Sequence, residues 1–203
     1  MFWKTEEPHG LPHNPFKSCI VPRPIGWISS LSPEGTINLA PYSFFNGACS
    51  EPPMVMFGCN GKQPHGPKDT ITNIEETCEF VCNLSTYSLR EPMNQTSAAV
   101  GPDVNEFNYA NLDTEPSKLV KVPRVKASPI HLECKYFKTL ELPSNQPDAR
   151  NAIIVGHVVG INIRDDALIN GIVNIKKLQP LARLGYMDYT QVENIFTLQR
   201  PKI

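Results

Sequence analysis

The longest stretches in which apolar and polar residues alternate are Ile130–Leu142 and Ile153–Ile163, the period of long, half-buried strands. The polar segment Pro143–Asn151 between them reads as a loop. Near the start, Ile25–Leu31 predicts a strand and Ser32-Pro33-Glu34-Gly35 a turn, with proline early and glycine last. Thr36–Leu39 resumes the extended pattern, which makes the pair a hairpin. Met54–Cys59 is a compact apolar strand after the stiff Glu51-Pro52-Pro53, and the glycines and prolines of Gly58–Pro67 require a loop. A short helix is predicted over Asp69–Thr77: Ile71 and Ile74 share a face, Asp69 or Thr70 can cap it, and Thr72 and Glu75 keep capping-box spacing. Glu79–Leu84 is a further strand, Leu89–Ala99 a helical stretch, and Asp103–Glu106 can cap a last short helix ending at Leu112. The chain after Gly171 is weakly patterned.

The resulting order, β-β-β-α-β-α-α-β-β, does not alternate as a doubly wound parallel sheet would. It suits an antiparallel barrel with helical insertions, mainly β and a single domain. With 203 residues, two domains would be cramped. Residues 1–16, with three prolines and two histidines, read as an N-terminal extension, and 17–203 as the domain.

Composition narrows the function classes. A net charge of −1 calls for neither nucleic acid nor an anionic membrane surface as partner. No apolar run has the length of a membrane span, and the acidic Met1–Glu7 lacks the apolar core of a signal peptide. The expectation is a cytoplasmic protein with reduced thiols. The six cysteines form no C-x-x-C, and Cys78, Phe80 and Cys82 read as one packed strand face. The histidines lack metal-ligand spacing. His65, close to Lys68, reads as a loop residue. There is no dinucleotide fingerprint, phosphate-binding loop or H-E-x-x-H motif.

Three segments carry more specific chemistry. They are Pro22-Arg23-Pro24-Ile25-Gly26-Trp27-Ile28-Ser29-Ser30, then Asn38-Leu39-Ala40-Pro41-Tyr42-Ser43-Phe44-Phe45-Asn46, then Lys68-Asp69-Thr70 leading into Asn73-Ile74. Ser29, Ser30, Ser43 and Thr70 offer hydroxyls and Lys68 a cation, while the helix start offers N–H groups, all suited to a phosphate. Ala40-Pro41-Tyr42-Ser43 is a small, rigid wall rich in backbone groups, and Trp27, Tyr42, Phe44 and Phe45 can add aromatic surface for a flat ring. In this order and spacing, together with Glu79-Phe80-Val81, Glu106-Phe107, Arg183-Leu184-Gly185 and Tyr189, the chain resembles the flavin reductase-like family with its FMN-binding split β-barrel.

The resemblance implies an antiparallel, Greek-key-like split barrel that binds FMN. It implies that Trp27, Ile28, Ser29 and Ser30 line the cofactor with Ala40, Pro41, Tyr42, Ser43 and Phe44. Lys68, Asp69 and Thr70 would lie near its phosphate and Arg183 close by. It further implies a homodimer in which residues from both chains complete one site, NADH or NADPH as hydride donor, and a monooxygenase or another electron acceptor as partner. The missing acid–base constellation fits hydride transfer, in which the cofactor carries the chemistry. The alternative is a non-enzymatic FMN electron carrier of the flavoredoxin type.

Overall fold

A computed structural model describes residues 1–64 and 66–201; the reading of His65 lies outside them. The chain enters through a 3-10 turn, Phe16–Cys19, and the short β1 (Arg23–Pro24). The strands β2 (Gly26–Leu31), β3 (Ile37–Tyr42), β4 (Phe45–Ser50) and β5 (Pro53–Gly61) follow, then helix α1 (Asp69–Thr77) and β6 (Glu79–Leu84). Helices α2 (Arg90–Gln95) and α3 (Glu106–Tyr109) come next, with the two-residue β7 (Thr114–Glu115) and β8 (Arg124–Val125) after them. The long β9 (Ile130–Leu142) and β10 (Arg150–Ile163) lead to β11 (Leu168–Ile169), β12 (Ile172–Val173), α4 (Ile175–Leu178), β13 (Leu181–Arg183) and β14 (Tyr189–Gln191).

Seven strands form one antiparallel sheet in the order β3-β2-β6-β9-β10-β5-β4. A second sheet, β1-β13-β14, ties the late chain back to the start: Arg23 sits opposite Arg183, and Pro24 opposite Ala182. Buried residues of β10 alternate as the pattern requires, with Ala152, Ile154 and Val158 turned inward. They meet Val55, Phe57, Phe80 and Cys134, and the Ile71–Ile74 face of α1 plugs the same core. A second core gathers Ile25, Trp27, Leu39, Met93, Phe107 and Leu181. Strand β2 runs between the two cores, so both of its faces are buried and even Ser29 and Ser30 are closed off from solvent.

Several local expectations change in three dimensions. Strand β4 is new; it is a sheet edge whose residues are almost all exposed, so it shows no apolar alternation. The helix expected over Leu89–Ala99 is a 3-10 turn, Tyr87–Leu89, followed by α2, which stops at Gln95. The Thr96 hydroxyl donates to the Met93 carbonyl and accepts from Trp27 Nε1 at 2.9 Å, a side-chain arrangement that competes with continued helix. Helix α3 stops at Tyr109 and is capped by Asn105, whose Oδ1 accepts from the N–H groups of Phe107 and Asn108.

Helix α1 keeps the expected bounds but not the expected cap. Lys68 is its N-cap, without a side-chain bond, and Glu75 pairs with Arg150 instead of turning back. Cys78 also departs from the reading: it is the exposed left-handed residue that ends α1 (φ 60°), so only Phe80 and Cys82 face the core. All six thiols are free, and Cys59, Cys82 and Cys134 are buried.

The core depends on close approach at Gly156, where the β9–β10 register shifts. A Cβ there would lie 2.2 Å from Cζ of the fully buried Phe80, which packs edge-on against Phe57. Gly156→Ala is therefore expected to cost about 1–3 kcal/mol through overpacking, read as a lower urea midpoint with an unchanged slope.

Candidate functional site

The end of β3, its turn into β4 and the start of α1 frame an open cleft with two lobes. The first, about 200 Å³, is lined by Asn38, Ala40, Tyr42, Lys68, Asp69 and Thr70, with Gln63, Thr96–Ala98 and Glu106 around them. The second, about 180 Å³, is lined by Lys17, Arg23, Ile25, Ser43, Met93, Arg183, Tyr186 and Tyr189. Pro41 and Ser97 line both and form the shared wall.

Polar groups of the first lobe are held by a buried network. Asn73 Nδ2 donates to Ser30 Oγ at 3.2 Å. The Asn38 side chain lies 3.2 Å from Ser30 Oγ and 2.8 Å from Thr70 Oγ1. With its NH2 turned toward Glu106 Oε1 (3.2 Å), its carbonyl oxygen accepts from both hydroxyls. Glu106 Oε2 in turn accepts the Leu39 N–H at 3.0 Å. Strand β2, strand β3, helix α1 and helix α3 are thereby locked at one point. Lys68 Nζ stands 5.4 Å from the Tyr42 ring centroid, a cation–π approach. Burial pushes the Tyr42 phenol well above its ordinary pKa, and its oxygen accepts from the Cys59 thiol at 3.7 Å.

The second lobe is strongly cationic, and among the described residues no carboxylate lines it. Arg23 is almost fully buried. Its Nη1 donates to the carbonyls of Lys17 and Ile20, its Nη2 to that of Leu184, and its Nε reaches Ser43 Oγ at 3.4 Å. Burial, and then the neighbouring Arg183 charge, lower its pKa. Arg183 lies over the Tyr189 ring at 4.3 Å, donates to the Tyr189 hydroxyl, and donates from Nη2 to the Tyr186 carbonyl at 2.6 Å. These cations, without a carboxylate partner among the described residues, stand beside the Ser43, Ser97 and Tyr189 hydroxyls and make a place for an anion.

The structure brings Ala40, Pro41, Tyr42, Ser43, Lys68, Asp69, Thr70 and Arg183 to the cleft. It puts Trp27, Ile28, Ser29 and Ser30 behind it, fully buried and absent from its lining. Trp27 reaches it through Thr96, and Ser30 through Asn38, while Ser29 Oγ donates to the Pro123 carbonyl at 2.7 Å. Phe44 also stays out of the lining: its carbonyl accepts from the Gly58 N–H, and Arg23 lies 5.7 Å from its ring centroid. Lys17, Arg23, Met93, Thr96, Ser97, Glu106 and Tyr189 line the cleft without having been expected there from the sequence. Arg23, Glu106 and Tyr189 stood in the motifs but offered no sign of facing a cleft.

Glu106 is the group in the cleft with a consequence for pH. Burial first, and then the charge of Asp69, raise its pKa to about 7 against the bond from Leu39. The folded state thus holds this proton more tightly than the unfolded chain. Stability is expected to fall as pH rises from about 4.5 to about 7 and to level off above that, because the carboxylate must then ionise in place. Glu106→Gln, which can still accept from Leu39, is expected to be more stable at pH 8 by on the order of 1–2 kcal/mol, a figure reduced for screening by water in the open cleft. Equal denaturation midpoints for both proteins across this window would remove the assignment.

This cleft sits in a fold that other proteins share. An uncharacterised protein of Aquifex aeolicus is 38% identical over 173 residues, 85% of each chain. Nitrilotriacetate monooxygenase component B of Bacillus cereus superposes with a TM-score of 0.87 at 28% identity over 98% of both chains. The 2-nitrobenzoate 2-nitroreductase NbaA of Pseudomonas fluorescens gives 0.80 at 29% identity over 92% of this chain and 88% of its own. The architecture is the single-domain antiparallel split barrel of flavin-binding proteins. Residues 18–186 match the model of the flavin reductase-like domain, and the chain belongs to that family.

Proposed function

We propose that the cleft binds FMN and that the protein is an NAD(P)H-dependent flavin reductase. The observation that carries this reading is a cleft with two polar lobes on either side of Pro41, one cationic through Lys17, Arg23 and Arg183, the other holding Lys68 at the start of α1 beside Asp69 and Glu106. A mononucleotide with a ring and a charged end fits that arrangement. When bound, FMN would supply the redox chemistry, as the acceptor of a hydride from a nicotinamide.

The residues have distinct tasks in this reading. Lys68, Thr70 and the N-terminus of α1, whose N-cap residue Lys68 makes no side-chain bond to the helix, hold the phosphate, with Asp69 in the first turn of the helix. The Ala40-Pro41-Tyr42-Ser43 backbone meets the ring, and Arg183 supplies positive charge from the far lobe. Trp27, Ile28, Ser29, Ser30 and Phe44 are positioning residues that set the wall from behind. Membership of the family and the likeness to a monooxygenase component support a cytoplasmic homodimer that hands reduced flavin to a monooxygenase or another acceptor. Among the described residues no helix is long and apolar enough to cross a membrane. Phe137 and Leu140, 64% and 51% exposed on β9, are available for a subunit contact.

Titration with FMN is expected to saturate and to raise the melting temperature. Anaerobic mixing of the loaded protein with NADH and with NADPH is expected to abolish the oxidised-flavin absorbance with at least one of them. Flavin that binds but stays oxidised with both donors would leave the non-enzymatic electron carrier in place of the reductase.

A further inference from the structure

A cavity of about 1030 Å³ lies outside the proposed flavin cleft, between the N-terminal extension and the Gly185–Asp188 turn. Its walls carry Trp3, His13, Phe16, Tyr186 and Met187, and Lys17 stands at one side. Among the described residues no carboxylate lines it. Lys17 and Tyr186 also line the second lobe of the cleft, so the two spaces adjoin.

The cavity is built rather than incidental. Arg23 holds the Phe16–Cys19 turn and the β13 end together through the Lys17, Ile20 and Leu184 carbonyls. Gly185 allows that contact, since a Cβ there would sit 1.9 Å from Ser18 Oγ. Tyr186 adopts a left-handed backbone (φ 52°), uncommon for an aromatic residue, and is pinned by the bond from Arg183 Nη2 to its carbonyl. Its ring stands 5.6 Å from that of His13, centroid to centroid. Phe16 is 59% and Met187 83% exposed, so this aromatic and thioether surface faces water. The volume is that of a site for a small organic molecule.

We infer that this vestibule binds a planar aromatic acid, its ring against Phe16, Tyr186 and Met187 and its carboxylate toward Lys17. Offset ring contacts, sulfur–aromatic contact and a cation without an ion-pair partner among the described residues favour that class over an aliphatic acid or a neutral ring. That the acid would sit at the mouth of a flavin site rests on the reading above. Its affinity does not, so the two readings fail separately.

The test titrates the full chain, without flavin, with 1-naphthoate by calorimetry, and follows tryptophan emission in the parent and in Trp3→Phe, whose difference locates the site at Trp3. Cyclohexanecarboxylate and 1-naphthalenemethanol serve as probes that lack the ring and the charge respectively. Naphthoate is expected to bind about tenfold more tightly than either. Tyr186→Gly, which removes the ring while keeping the left-handed turn, is expected to weaken it about tenfold, and Lys17→Gln to weaken it severalfold. Equal binding of the three probes overturns the inference. So does naphthoate affinity unchanged in Tyr186→Gly, or no saturable binding because a second copy covers the vestibule. Displacement of naphthoate by NADH but not by benzoate would give the space to the nicotinamide and likewise overturn the aromatic acid. FMN titrated into the same sample reports separately: saturable naphthoate binding with no saturable FMN binding ends the reductase reading and leaves the vestibule standing.

Discussion

Arg23→Met is expected to destabilise the protein by about 2–4 kcal/mol, because one buried guanidinium satisfies the carbonyls of Lys17, Ile20 and Leu184. Methionine fills the stem's space but donates nothing, so three part-buried carbonyls lose their partners at once. Two terms work in the opposite direction: the cost of burying the Arg23 charge, and its repulsion from Arg183, both visible in its lowered pKa. They reduce the loss without reversing it, since three charge-assisted bonds disappear together. Arg23→Lys is expected to recover less than half, because a single ammonium cannot span three carbonyls set around a planar fork. The midpoint of chemical denaturation gives the magnitude, and limited proteolysis gives the location: cleavage should quicken within residues 1–22 before the sheet is attacked. A variant as stable as the parent, with an equally protected N-terminal segment, would show that Arg23 does not clamp it.

Lys68→Met is expected to weaken FMN about 10–100-fold, the worth of one charge-assisted contact to phosphate. Riboflavin, which has the ring but no phosphate, should bind the variant and the parent alike. The FMN deficit should shrink as salt rises, because a partly exposed charge is screened. The pair of ligands distinguishes a phosphate contact from general damage. Lys68 begins α1 without a side-chain cap and lies over Tyr42, so a structural loss would weaken both ligands equally. Equal loss for FMN and riboflavin would move the phosphate away from this lobe and leave the Arg23–Arg183 lobe as its place.

The elements legible in the chain were those in which local pattern and final environment agree. Helix α1 keeps its expected bounds because Ile71 and Ile74 recur on one face and that face is the buried one. Strands β6 and β9 keep theirs because their apolar residues continue across the whole paired length. Strand β4 had no such agreement. Asn46, Gly47, Ala48, Cys49 and Ser50 are exposed, and pairing with β5 rather than burial makes them a strand. Strands β13 and β14, three residues each, are too short to show a period and exist because β1 and β13 pair across the whole chain.

The candidate site divides along the same line. Its motif residues and the family that they indicate were present in the order of amino acids, because backbone-rich turns, hydroxyls and a helix-start lysine are local features. Which of those side chains reach a ligand was decided only by the tertiary structure. Trp27, Ile28, Ser29 and Ser30 lie on a strand with a core on either side, and a chain read locally shows what each face prefers, not how many faces will be covered. The cationic lobe joins Lys17 and Arg23 to Arg183 and Tyr189, residues far apart along the chain. Charge gathered from such separations has no local signature, since it arises when the sheet closes and brings the two ends of the domain together.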